Sequence, residues 1–315
     1  MATSILAQFE SGHTDVIHDV AFDYYGRRLA TCSSDRAVKV FDVQGRSVSL
    51  VAELLGHEGP VWGVSWAPPR SGSLLASGGF DGRLLLWQES PDGGWRLQAE
   101  VARRAASVNA VAWAPPELGP TLAAACSDGS VLIVSPREDG AGWSCEAIEG
   151  AHPAGALCVA WDPRAGELGA AGGAGHLGAG PGAAAGAAPP RLASGGCDGA
   201  VRVWCRNSEG VWSSDGAPLP VAHADWVRDV AWGAGFGAAP PVLASGGGDG
   251  RVIAWEETAP GSGAWTKRVV TENVAGGVWR LSWNVSGGTL AVSEGDDALS
   301  LWRQGPDGTF VRVEE

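Results

Sequence analysis

One phrase, of the form Leu-Ala-x-x-x-x-Asp-Gly closed by a bulky apolar residue, comes round six times in this chain. It reads LATCSSDRAVKVF at Leu29 to Phe41, LASGGFDGRLLLW at Leu75 to Trp87 and LAAACSDGSVLIV at Leu122 to Val134. It returns as LASGGCDGAVRVW ending at Trp204, LASGGGDGRVIAW ending at Trp255 and LAVSEGDDALSLW ending at Trp302. Upstream of each lies a second phrase of alternating apolar residues: HDVAF, WGVSW, NAVAW, LCVAW, RDVAW and WRLSW. Alternation of period two spells strands. The Asp-Gly pairs at Asp81, Asp128, Asp198 and Asp249 suit the positive φ angles of short hairpins. After each phrase comes one more strand, led by an aromatic in most copies, as in DGGWRLQAEV at Asp92 and GAGWSCEAI at Gly140. Each repeat therefore predicts four consecutive antiparallel strands.

Self-similarity at this period marks the WD-repeat β-propeller, in which each repeat is one four-stranded blade. The predicted fold class is all-β, a single six-bladed domain over residues 1–315. A chain 45% hydrophobic can supply so large a core. Such folds bind other proteins far more often than they do chemistry. The formal charge of −13 argues against nucleic acid as a direct ligand, because phosphate binding needs a basic surface. Six cysteines show neither CxxC pairs nor disulfide-like spacing, and most fall inside strand phrases. With no signal-peptide pattern at the N-terminus and no long apolar run, the expected compartment is cytosol or nucleus. Residues 165–190, almost wholly Ala, Gly and Pro, predict a flexible loop inside the fourth blade. Gly173 to Gly178 there match GxGxxG, but they follow no predicted strand and open no helix, so no dinucleotide site is read from them. No cofactor and no metal are expected.

The strand count carries further. FVRVEE, from Phe310 to Glu315, already gives the sixth blade its outer strand, so twenty-four strands complete six blades. The apolar stretch Ser4 to Phe9 is left over. Two readings stay open: a frayed strand across a ring junction, or an open ring whose spare strand joins a seventh blade brought by another protein. On the second reading Ile5, Leu6, Ala7, Gln8 and Phe9 form the edge for an incoming blade.

His, Ser or Thr, and Asp recur together as His13, Thr31 and Asp35; His57, Ser77 and Asp81; His152, Ser194 and Asp198; His223, Ser245 and Asp249. One copy would pass for a Ser-His-Asp triad. Four copies read as a structural device that ties each hairpin turn to the neighbouring loop, with the terminal Trp as anchor. The third repeat has Arg104 where His falls, which predicts a substitute cation for Asp128. The sixth has no His before Val278, which predicts a weak blade. Neither an HExxH motif nor a P-loop lysine accompanies them, so no enzyme is predicted.

HTDVIHDVAFDYYGRRLATCSSDRAVKVFDV, LLGHEGPVWGVSWAPP, SVNAVAWAP, LASGGCDG and AHADWVRDVAW go beyond a generic WD repeat. From about Val16 to Trp302 the chain resembles the Sec-thirteen family, small propellers shared by the outer COPII vesicle coat and the nuclear-pore Y-complex. The resemblance implies an open six-bladed propeller completed in trans by a blade from a helical scaffold protein. It implies as partners the larger helical outer-coat subunit, the homologous helical nucleoporin and a nutrient-signalling complex. It also implies a place at endoplasmic reticulum exit sites, COPII vesicles and nuclear pores, with membranes met only through partners. A pore-only or signalling-only sibling, or a generic WD-repeat adaptor, is the alternative.

Overall fold

The computed structural model describes residues 8–166, 189–215, 219, 222–234, 240–259, 261–295, 298–305 and 307–313. Among them are twenty-four strands in six four-stranded antiparallel sheets, each sheet following chain order, so every blade is a meander of local hairpins. The fold class is all-β, of WD-repeat blades. The predicted loop falls almost wholly outside the described residues, which resume at Pro189.

The chain forms two compact units, residues 1–147 with 315, and 148–314. The first unit holds three blades. They are β1 (Ile17–Phe22), β2 (Arg28–Ser33), β3 (Ala37–Gln44) and β4 (Ser47–Leu55); β5 (Val61–Trp66), β6 (Leu74–Gly79), β7 (Arg83–Glu89) and β8 (Trp95–Arg103); β9 (Val108–Trp113), β10 (Leu122–Cys126), β11 (Val131–Pro136) and β12 (Trp143–Ile148). The second unit holds β13 (Ala156–Trp161), β14 (Arg191–Gly196), β15 (Val201–Arg206) and β16 (Trp212–Ser214); β17 (Val227–Gly233), β18 (Val242–Gly247), β19 (Val252–Glu257) and β20 (Trp265–Thr271); β21 (Val278–Trp283), β22 (Thr289–Glu294), β23 (Leu299–Gln304) and β24 (Phe310–Arg312). The last strand stops short of the predicted Glu315, and residues 314–315 lie outside the described set.

The second strands of the second and fifth blades are buried on both faces because each lies between two blades of its own unit. Leu-Ala-Ser-Gly-Gly in β6, β14 and β18 is buried throughout. The small residues there are seats. A Cβ built on Gly78 would lie 2.5 Å from Val108 Cγ1 of the next blade, and one on Gly246 would lie 2.4 Å from Val278 Cγ1. Within blades, the aromatic that leads the fourth strand packs edge-on against the one that ends the first. Ring centroids are 5.7 Å apart for Trp66 and Trp95, and 5.8 Å for Trp232 and Trp265. This pairing, repeated, accounts for much of the chain's tryptophan.

The hairpin turns take left-handed φ at Gly82, Gly129, Gly199 and Gly250. The first repeat has Asp-Arg instead, and Arg36 sits at φ 73°, alone among described non-glycine residues. A Cβ in this region costs about 1–2 kcal/mol, and glycine gives part of that back through its freer unfolded chain. Arg36→Gly is therefore expected to raise stability by roughly 0.5–1 kcal/mol, read as a higher denaturation midpoint at unchanged m-value.

Candidate partner-binding faces

The four His sets assemble, and their geometry settles what they do. His57 Nδ1 lies 3.1 Å from Asp81, and Nε2 lies 2.8 Å from Ser77 Oγ, which accepts the Trp87 indole N–H at 2.8 Å. The fourth blade repeats this with His152, Asp198, Ser194 and Trp204 at 2.9, 2.8 and 2.8 Å. In the fifth, His223, Asp249, Ser245 and Trp255 lie at 3.0, 2.9 and 2.9 Å. The indole can only donate and the carboxylate can only accept, which fixes the proton order. Trp donates to Ser, Ser donates to His Nε2, and His Nδ1–H donates to Asp. The Ser oxygens are fully buried and already occupied, so none is placed to attack a substrate.

Departures are chemically matched. In the first blade Thr31 meets His13 Nε2 at 2.8 Å and Asp35 meets Nδ1 at 2.8 Å, while the terminal aromatic is Phe41, which has no N–H to place. In the third, Arg104 donates from Nε and Nη2 to Asp128 at 3.0 and 2.7 Å. There Ala124 and Val134 replace the Ser and the Trp together, so neither is left wanting. In the sixth, Val292 takes the Ser position, and Trp302 instead donates to Ser300 Oγ on its own strand at 3.1 Å. That substitute is invisible in a search for the motif.

Burial pushes the Asp81 and Asp249 carboxyls up, but bonds from His and backbone N–H groups outweigh it and hold both below the usual value of 3.8. His152 and His223 go below the ordinary 6.5, chiefly because burial disfavours the imidazolium, with the Asp bonds only partly compensating. The unfolded chain therefore binds protons first. The stability these histidines contribute is complete above pH 6.5 and is lost as pH falls from there toward their folded values. The aspartates follow, losing theirs as pH falls below 3.8. Between pH 7.5 and 5.5 the stability is expected to fall by at most about 1.4 kcal/mol per pH unit and histidine, read as a lower melting temperature. Fluorimetry of His152→Asn with His223→Asn should show a flatter slope, and an unchanged slope would contradict this origin.

Two sheet faces break the pattern of burial. On β1, Ile17, Val20 and Phe22 are exposed, although they occupy the positions of Val61, Val64 and Trp66 in the next blade. Val20 is 57% exposed where Val64 is 3%. On β23, Leu299 is 62% exposed, whereas Val38, Leu84, Val131, Val201 and Val252 at that register are all 0%. These are core-grade residues on faces that nothing in their own unit covers.

Of the predicted insertion edge, Ile5, Leu6 and Ala7 lie outside the described residues. Gln8 and Phe9 belong to none of the six sheets, and the Phe9 ring lies edge-on to buried Phe41, 5.2 Å away. Exposed apolar faces on the first and sixth blades are what the open-ring reading of the sequence expects; the residues that make them were not named from it, although one signal existed: Phe22 stands where every other repeat has Trp.

The WD domain, G-beta repeat family matches residues 4–42 and 48–88. The chain is 38% identical to Protein transport protein sec13 of Emericella nidulans, over 97% of this chain and 96% of that one. It is 42% identical to Protein transport protein SEC13 of Yarrowia lipolytica, over 95% of each. It is 38% identical to Protein SEC13 homolog of Homo sapiens, over 99% of this chain and 93% of that one.

Proposed function

This chain belongs to the Sec-thirteen family of WD-repeat proteins, and on that premise we propose that it is a non-enzymatic scaffold subunit in protein transport. Its place is in the outer COPII vesicle coat, between endoplasmic reticulum and Golgi, and in the nuclear pore complex. It works by accepting a blade inserted by a helical scaffold partner: the larger outer-coat subunit in one assembly, the homologous nucleoporin in the other. A nutrient-signalling complex is a third setting. The protein is peripheral at exit sites, vesicles and the nuclear envelope, and it reaches membranes through partners.

The observation that carries this reading is the pair of uncovered faces on β1 and β23. A sheet laid on either face buries it as neighbouring blades bury its counterparts, at roughly 25 cal/mol per Å² of apolar area. The reading of the His sets supports a structural role, since their hydroxyls and imidazoles are spent on holding turns.

The test combines affinity capture from the native cells with Val20→Glu and Leu299→Glu. Both residues are exposed, so the stability of the variants is expected to stay within about 0.5 kcal/mol of the parent. Capture with the parent chain is expected to recover a helical scaffold subunit near one-to-one, and the charged variants are expected to lose it. Equal recovery with parent and folded variants would overturn blade insertion.

A further inference from the structure

Arg28 and Arg191 hold the same place in their blades. Each opens a second strand, and each carbonyl accepts the N–H of the Asp that follows the first strand: Asp23 at 2.9 Å, Asp162 at 3.0 Å. Each guanidinium also reaches the Glu that ends the third strand of the next blade, Glu89 at 3.0 Å and Glu257 at 3.2 Å. They differ in what completes them. Asp162, Asp215 and Glu257 all lie within 4.0 Å of Arg191, whose side chain is 11% exposed. Arg28 pairs only with Glu89 and, at 3.6 Å, with Asp42, and its side chain is 28% exposed. Asp23, the counterpart of Asp162, is turned into its own hairpin, where it accepts the backbone N–H groups of Arg27 and Arg28 at 2.7 and 2.9 Å. Arg28 lines a pocket of about 670 Å³ between the first two blades, a volume suited to a few residues of peptide.

The spare groups around that pocket are donors. Asp42 is engaged by Arg28 and by the Gln44 amide at 2.7 Å, and Glu89 is engaged by Arg28. By contrast, the Arg27 guanidinium and the hydroxyls of Tyr24 and Tyr25 meet no protein partner among the described residues. These two are the chain's only tyrosines. They are 77% and 67% exposed, with their rings edge-on 5.3 Å apart. Tyr and Arg are the side chains that carry protein interfaces. The phenol offers contact area and a donor at little rotamer cost, and the guanidinium fork fits a carboxylate.

We infer that this pocket docks an acidic segment of a partner protein, with one Asp or Glu carboxylate bound by Arg27 beside Arg28 and the flanking residues laid on Tyr24 and Tyr25. That carboxylate takes the place near Arg28 that Asp162 takes near Arg191. A single charge suits the site. A phosphate brings about two negative charges against Asp42 and Glu89, whereas a carboxylate brings one. The pocket lies on the side of the first sheet that faces the second blade, so it is separate from the uncovered face of β1 and independent of blade insertion.

Selection of a random dodecapeptide phage library on the immobilised full chain tests this. Physiological salt screens the chain's net charge of −13 beyond about 8 Å, so the selection reads the pocket. Enriched peptides are expected to carry Asp or Glu, and synthetic copies are then titrated against the parent chain and two variants. Arg27→Gln and Tyr25→Ser change exposed side chains, so both are expected to keep the parent's melting temperature. Arg27→Gln should weaken binding about ten- to hundred-fold, and Tyr25→Ser should weaken it less. Replacing the peptide's acid by its amide should cost as much as Arg27→Gln, and the two changes together little more than either. Peptides that bind both variants as tightly as the parent, peptides that tolerate the amide, or a library that yields no enrichment would each overturn the inference. Inorganic phosphate that displaces the peptides at equal concentration would also overturn it, by making the pocket a phosphate site. All of these outcomes leave the Val20 and Leu299 test of blade insertion untouched.

Discussion

Replacing Arg191 by methionine is expected to destabilise the protein by about 3–5 kcal/mol, because it strands several buried carboxylates at once. Arg191 opens β14 and is nine-tenths buried. Its Nη1 donates to Glu257 of the next blade at 3.2 Å and lies 4.0 Å from Asp162. Its Nε sits 2.9 Å from Asp215, an ion pair whose N–H is not aimed along the contact. The guanidinium also covers the rings of Trp232 and Trp265, at 5.9 and 5.4 Å. Burial already lifts the Asp162 carboxyl above its usual value, since its bond from Arg164 and the nearby guanidinium groups offset only part of the desolvation. Without Arg191 the Asp162 carboxyl loses one of the cations that oppose this rise and goes further up. A carboxyl whose folded pKa is raised contributes stability at low pH that is lost as pH rises. The deficit of the variant should therefore be larger at pH 8 than at pH 5. Adding Glu257→Gln should recover part of it. A loss independent of pH, measured by chemical denaturation at both values, would assign the effect to packing alone.

Trp255→Ala should cost a similar amount, about 3–5 kcal/mol. Trp255 is fully buried, packed with Leu243, Ile253 and Val230, and its indole N–H bonds to Ser245. Truncation opens a cavity and removes the donor that sets the proton order through Ser245, His223 and Asp249. Trp302→Ala is the control. That ring is only half-buried and bonds to Ser300 on its own strand, so its loss should be less than half as large. Equal losses would mean that the sixth blade, which lacks the His set, is as tightly built as the fifth.

The repeat phrases made the blades legible because each blade is a local object. Leu-Ala-Ser-Gly-Gly, the Asp-Gly turn and the closing Trp lie within one hairpin, and their spacing is fixed by strand geometry. The partnership of Arg104 with Asp128 was readable for the same reason, as a cation at the position where other repeats have His. The Ser300 acceptor was not readable, because it reaches Trp302 from a register the motif never uses. The Arg191 cluster was also hidden: its members come from residues 162, 191, 215 and 257, and no pattern within one repeat brings them together.

By itself, the sequence determined the six meanders, their strand order, the left-handed turns and the surplus of apolar residues ahead of the first blade. All of these follow from period-two alternation and backbone sterics, which act over a few residues. Only the tertiary structure decided which apolar residues find cover. Val20 and Val64 sit in near-identical phrases, HDVAF and WGVSW, yet one is exposed and the other sealed. Leu299 and Val252 differ in the same way. Burial depends on what stands on the far side of a sheet, and a strand's own residues do not contain that information.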